Sequence, residues 1–260
     1  MLLVPRWHDV AVLDISPLAP GPHGPTGAAF GPRRRISTRT APSPITEPVA
    51  KLGGQPVWLE RPTWPIGACT AGPMMFIGQM PVPGAATRMA YLFMTDDDDC
   101  NATGFMPEGG DTALLVQPGG RIPTFVRTAS EAAGPSLWHR GSNWWEKIPV
   151  ELRVDLSPLE PADERLLEAA IDAQDSERAG VFDPSPEDCP LPGSHLDGRP
   201  HFWQPTCVEV DDDWRFFFQL ECGDEGYDGT SFTLDFGEGG TGYAFLSPDH
   251  LEGRFYWDCI

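Results

Sequence analysis

Met75-Phe76-Ile77-Gly78-Gln79-Met80 decides how this chain folds, because it returns as Phe216-Phe217-Phe218-Gln219-Leu220. Upstream, Leu52-Gly53-Gly54-Gln55-Pro56-Val57-Trp58 is echoed by Leu196-Asp197-Gly198-Arg199-Pro200-His201-Phe202. Downstream, Tyr91-Leu92-Phe93-Met94-Thr95-Asp96 is echoed by Tyr243-Ala244-Phe245-Leu246-Ser247-Pro248-Asp249. Three elements recurring in one order mark two copies of a β-rich unit. A unit this small buries too little apolar surface to offset chain entropy, so the copies are expected to share one core. The expected fold class is α+β, mostly antiparallel β, with two similar pseudo-symmetric halves forming one domain and few helices.

With 29 prolines and 28 glycines in 260 residues, short strands and turns are favoured over long helices. Strand-like runs fall at 56–59, 74–80, 89–94, 112–117, 149–155, 214–220, 231–236, 241–246 and 253–259. Pro161–Gln174 reads as a helix: Pro161 suits the first turn, Asp163 and Glu164 complement the positive end of the dipole, and Leu166, Leu167 and Ile171 form an apolar stripe. Residues 1–46, rich in proline and glycine, are expected to be a flexible arm in which Arg33-Arg34-Arg35 is solvated. The domain is expected at 47–260, as a first half 47–125, a connecting segment 126–194 and a second half 195–260.

The formal net charge is −20. Such a field repels nucleic acid and membrane surfaces and attracts a basic protein or peptide segment. No apolar run reaches the roughly 20 residues of a membrane span, and Pro5 and Arg6 interrupt Met1-Leu2-Leu3-Val4 too early for a signal core. A cytoplasmic location is expected, and with it six cysteines kept as thiols, without disulfides.

Lys51-Leu52-Gly53-Gly54-Gln55-Pro56, Trp64-Pro65 and Pro73-Met74-Met75-Phe76-Ile77-Gly78-Gln79 resemble the YwqG-like family of bacterial proteins. So do Phe236-Gly237-Glu238-Gly239-Gly240-Thr241-Gly242-Tyr243-Ala244-Phe245 and the closing Gly253-Arg254-Phe255-Tyr256-Trp257-Asp258-Cys259, so the resemblance covers residues 47–260. It implies a relationship to eukaryotic programmed cell death protein 2, an escort of a basic ribosomal protein, and hence a chaperone-like protein-binding role. Family members encoded beside toxin systems imply an immunity role as a variant of the same idea. Many members carry two cysteines before the Pro-Met pair, where this chain has Cys69 alone.

The chemistry-bearing motifs are sparse. Gly237-Glu238-Gly239-Gly240-Thr241-Gly242 has the letters of a dinucleotide loop but runs into a strand, with Glu238 set to repel phosphate, and reads as a hairpin. Asp99, Asn101 and Thr103 before Gly104, with Glu108 and Asp111, offer oxygen ligands for calcium, yet lack the spacing and flanking helices of an EF-hand and read as a solvated acidic turn. Cys189, His195, His201 and Cys207 are evenly spaced without the tight pair that zinc sites use. No Gly-x-Ser-x-Gly elbow, His-Glu-x-x-His, phosphate loop or Cys-x-x-Cys is present, so neither an enzyme nor a cofactor is expected. Gln79 and Gln219 are expected to satisfy backbone groups where the halves meet.

The leading expectation is a protein-binding module. An acidic rim of Asp96, Asp97, Asp98 and Asp99 with Asp211, Asp212 and Asp213 would receive a basic segment, over aromatic anchors Trp58, Trp64, Trp144 and Trp203. The alternative places a hydrolase-type site, with Glu238, Asp224 and His201 as proton-transfer groups, or a calcium site, between the halves.

Overall fold

The computed structural model describes residues 30–84, 87–97, 105–143, 145–178, 193–204, 210–211, 213–223, 232–237 and 239–259. Ten of its strands form one antiparallel sheet. They run β1 (Arg34–Thr40), β2 (Lys51–Gly53), β4 (Met75–Pro81), β5 (Met89–Met94), β6 (Thr112–Gln117), β10 (Glu151–Pro158), β11 (His195–Leu196), β12 (Arg215–Glu221), β13 (Thr241–Leu246) and β14 (Gly253–Asp258). Their order is β14-β13-β12-β11-β1-β10-β2-β4-β5-β6. Two-stranded pairs join β3 (Trp64–Ile66) to β7 (Arg127–Ala129) and β8 (Trp138–Arg140) to β9 (Lys147–Pro149). The fold is mostly antiparallel β, with α1 (Pro161–Arg178) the one helix among the described residues.

The sheet curls until its end strands meet. Thr112 Oγ1 donates to Phe255 O at 2.8 Å and Arg121 N to Leu251 O at 2.7 Å. A side chain on Gly253 would meet Leu114 O at 2.4 Å, so glycine lets the two edge backbones touch. The result is a nearly closed, barrel-like sheet with little free edge. Leu52, Ile77, Leu92, Leu114, Leu152, Leu196, Phe217, Ala244 and Phe255 fill it. Two smaller layers cover its outside, one around Trp64, Phe76, Tyr91 and Phe93, the other around Phe202, Phe216, Tyr243 and Phe245.

Matching details accompany the sequence echoes. The β4–β5 register shifts between Phe76 and Gly78, and the β12–β13 register shifts between Phe216 and Phe218. Gln79 accepts from Val57 N and donates to Val49 O, both at 2.9 Å; Gln219 accepts from His201 N at 3.2 Å and donates to Gly193 O at 3.1 Å. The Tyr91 hydroxyl binds Val57 O at 2.8 Å and Leu59 N at 3.1 Å, as Tyr243 binds His201 O at 2.9 Å and Trp203 N at 3.4 Å. Each glutamine thus ties a preceding loop to its own strand, rather than bridging the junction between halves. Gly53 and Asp197 both take a left-handed backbone, at φ of 66° and 62°. A Cβ on Gly53 would lie 2.2 Å from Val150 O, whereas the second site tolerates Asp, one of the few side-chain-bearing residues found in that region.

Several expectations are corrected. Arg34–Thr40, placed in the flexible arm, is strand β1 between β10 and β11. Its polar sequence hides it from a search for apolar alternation. The Arg33–Arg35 cluster is not free in solvent: Arg33 reaches Glu164 at 2.6 Å and Glu168 at 2.9 Å, Arg34 reaches Asp197 at 2.8 Å, and Arg35 reaches Asp163 at 3.1 Å. The Arg33 guanidinium is fully buried, so it docks α1 by a paired interior charge. The helix turns Leu167, Ala170 and Ile171 inward and leaves Leu166 half exposed, because Leu166 sits about 100° round from Leu167. Residues 56–59 form no strand. Cys69 is disulfide-bonded, to a partner outside the described residues. That bond overturns the expectation of six free thiols, which rested on a reducing compartment.

Candidate functional site

The β8–β9 hairpin is built around its turn. Trp138 pairs with Pro149, His139 with Ile148 and Arg140 with Lys147. Gly141 N donates to Glu146 O at 2.8 Å, and a Cβ on Gly141 would meet the Glu146 carboxylate at 2.3 Å. Beneath the hairpin lies Asp96, just past the end of β5. Its Oδ2 accepts the Trp138 indole N–H at 3.0 Å and the Lys147 ammonium at 2.6 Å. The ammonium also sits 4.5 Å from the centre of the Trp138 ring. The Trp138–Asp96 bond ties the hairpin to the barrel. Trp145, in the turn, is 81% exposed, and Ile148, in the middle of β9, is 37% exposed. A tryptophan left this bare forgoes the burial that usually makes it worthwhile, and exposed tryptophans are enriched among residues that dominate protein interfaces.

Phe105 and Met106 are exposed at the same end of the sheet, where Phe105 packs edge-on against Trp257 of β14. That shared end follows from the antiparallel register: Met94 of β5 pairs with Thr112 of β6, and Thr112 bonds Phe255 of β14.

The same register separates the expected acidic rim into two. Asp211 and Asp213 precede Arg215 at the start of β12, whereas Asp96 and Asp97 lie at the end marked by Glu221. Seven residues of strand put about 20 Å between those ends. Asp98, Asp99, Asp212 and Trp144 lie outside the described residues. Trp64 is fully buried, its indole donating to Met74 O at 2.8 Å, and serves the core. Trp58 is partly buried against Trp64, Tyr91 and Phe93, with its indole on Ala132 O at 2.9 Å. Trp203 sits on the other outer layer and donates to Thr241 Oγ1 at 3.1 Å. Of the described residues expected to form one surface, Asp96 and Asp97 alone lie at the hairpin; Trp145, outside that set, supplies the exposed ring. The turn residues Gly141, Ser142 and Asn143 were the available signal for the hairpin itself.

The groups offered for chemistry are occupied otherwise. Asp111 Oδ1 accepts from Thr95 Oγ1 at 2.8 Å and Cys69 N at 3.1 Å, while Glu108 pairs with Arg254 at 3.0 Å. Asp99, Asn101 and Thr103 lie outside the described residues, and no cluster of three metal-ligating side chains occurs among the described ones. Cys189, Cys207, Asp224 and Glu238 lie outside the described residues. His195 is fully buried with Nδ1 2.9 Å from Asp197 O; burial first, then the Arg33 charge, lower its pKa to about 3 and keep it neutral. Burial also lowers His201 and raises Asp258. Asp258 accepts from Tyr243 at 2.7 Å and Gln204 N at 2.9 Å. At the end of β6, Gln117 closes a similar backbone clamp, accepting from Glu60 N at 3.1 Å and donating to Arg61 O at 3.1 Å. An amide closing a similar clamp argues for structure over proton transfer.

A cleft of about 400 Å³ opens beside β6, lined by Glu60, Arg61, Thr63, Gln117, Arg121 and Ile122 among others. Glu60 accepts from Gly119 N, and Arg121 is paired with Asp249 at 2.6 Å and Glu252 at 3.2 Å. The lining residues include neither histidine nor cysteine, and Arg61 donates to Ser130 Oγ at 3.1 Å. No helix among the described residues is long and apolar enough to cross a membrane. No protein-family model, no curated protein and no solved structure matches the chain.

Proposed function

We propose that the chain is a non-enzymatic, cofactor-free protein-binding module, chaperone-like or an immunity protein, whose contact surface is the tip of the β8–β9 hairpin. The observation that carries this reading is Trp145, 81% exposed on a hairpin fastened at its base by the Trp138 indole on Asp96. An aromatic carried on an already paired hairpin binds at lower entropic cost than one on a loop that must first be ordered. Ile148, Phe105 and Met106 extend the apolar area. A net charge of −20 favours a basic peptide segment over nucleic acid or an anionic bilayer.

We infer further that the barrel is two copies of one unit, 47–125 and 195–260, related by a pseudo-twofold axis between β1 and β10. The recurrent glutamine, tyrosine, bulge and left-handed positions support this, as does a strand order that reads alike from both ends. It agrees with the YwqG-like resemblance.

The test is calorimetric titration with a hexa-arginine peptide at 0.05 M and 0.5 M salt. Binding is expected to weaken steeply with salt, and Trp145→Ala to weaken it about tenfold or more. Binding that Trp145→Ala leaves unchanged would remove the hairpin tip from the contact surface.

A further inference from the structure

Lys51 and Lys147 are the only lysines in a chain whose other strong cations are arginines. Lys51 is buried in a clasp with Glu151, Gln55 O and Ile45 O. Lys147 is different: it is half exposed and lies across an indole face with its ammonium on a carboxylate that the same indole already holds. An aromatic ring edged by a fixed carboxylate is the arrangement that recognises an organic cation. Here the cation is the protein's own.

We propose that Trp138 and Asp96 form a subsite for one arginine side chain of the basic segment, and that Lys147 occupies it until that arginine displaces it. The inference rests on the basic-segment reading above and specifies where one residue of the segment sits. Three observations carry it. The indole N–H fixes the Asp96 carboxylate at 3.0 Å, so the acceptor is ordered before any ligand arrives. Asp96 Oδ1 takes no bond from a described residue, whereas a guanidinium grips both carboxylate oxygens and lays its plane on a tryptophan. The resident pair is also weak: with Lys147 51% and Asp96 31% exposed, water screens it, and pulling the flexible lysine away costs little. A lysine is thus a poorer occupant than the residue it keeps out, and it spares the chain an unpaired carboxylate in the free state.

The probe is the hexa-arginine peptide, with the full-length protein and three variants. Lys147→Met empties the subsite and is expected to tighten binding about threefold, the weight of an exposed ion pair. Arg35→Met removes the same charge from a comparably exposed pair at the far end of β10, and is expected to change affinity by less than about 1.5-fold. Trp138→Leu, checked for folding by circular dichroism, is expected to cancel the gain when combined with Lys147→Met. In ¹H–¹⁵N spectra the Trp138 indole resonance, identified by its loss in Trp138→Leu, should shift on saturation.

Equal tightening by Lys147→Met and Arg35→Met would reduce the effect to overall charge and overturn the subsite. So would an unmoved Trp138 indole signal. If binding remains sensitive to Trp145→Ala while the Trp138 indole stays still, the subsite falls and the hairpin-tip reading survives. If neither the wild type nor Lys147→Met binds the peptide, both fall.

Discussion

Replacing Gln79 by leucine separates a structural glutamine from a merely well-placed one. Its side chain is 1% exposed and spends both ends on backbone, Val57 N and Val49 O, each at 2.9 Å. Leucine keeps the volume and removes both partners. Two lost hydrogen bonds cost about 1 kcal/mol each in net terms, and stranding a buried N–H and C=O adds about 1 kcal/mol or more, so about 3 kcal/mol is expected. For a chain of this size that lowers the melting temperature by about 9 °C. Gln219→Leu should cost slightly less, since its bonds are 3.1 and 3.2 Å long. Gln55 provides the control: it makes the same pair of bonds, to Gly134 N and O at 3.0 Å, but on the surface, and its loss should cost under about 1 kcal/mol. Urea unfolding followed by tryptophan fluorescence, with scanning calorimetry, measures all three. A Gln79→Leu cost no larger than that of Gln55→Leu would refute the argument that burial gives this clamp its weight.

The neutral His195 makes the fold acid-sensitive: the unfolded chain takes up a proton near the ordinary histidine value of 6.5, the folded one only near 3, so stability is whole above pH 6.5 and declines below it. Between pH 7.5 and pH 5.0 this group alone should remove about 2 kcal/mol, read from urea midpoints, and His195→Gln should flatten that difference. Trp145→Ala should leave thermal stability within about 0.5 kcal/mol while impairing binding, because the ring has little packing to lose. Arg254 lies between the rings of Phe125 and Trp214, at 4.7 and 4.6 Å, and meets Glu252 and Glu108. Arg254→Leu should destabilise by about 2 kcal/mol, and Arg254→Lys should recover less than half, since an ammonium cannot stack on both rings.

How much was legible follows from what each element needs. Strands β4, β5, β6, β12, β13 and β14 announce themselves because both of their faces are buried, which forces near-continuous apolar runs such as Phe216-Phe217-Phe218. The helix was legible from Pro161, Asp163 and Glu164 at its start. β1 was not, since Arg34-Arg35-Ile36-Ser37-Thr38-Arg39-Thr40 buries Ile36 alone and owes its place to backbone pairing. Trp58 and Val57 looked like strand but serve as a loop pinned by Gln79 and Tyr91. The described aspartates of the expected rim divide between two ends of the sheet for a geometric reason: sequence reveals a charge run but not which end of a strand will carry it. Trp138 and Trp145 stand seven residues apart with similar local chemistry, yet one packs against the core and the other faces water, a difference set by contacts with Asp96 from a distant strand.

The composition of β1 gains a reason when the order of synthesis is considered. Arg34 pairs with Pro158, and β11 lies later still, so at about 5–20 residues per second the nascent strand waits roughly 6–25 s for the first of its neighbours. Throughout that interval its amides and carbonyls are open to any passing polypeptide. Three arginines and one buried isoleucine make it a poor template for such misjoining, so the residues that disguise this strand on paper also protect it on the ribosome.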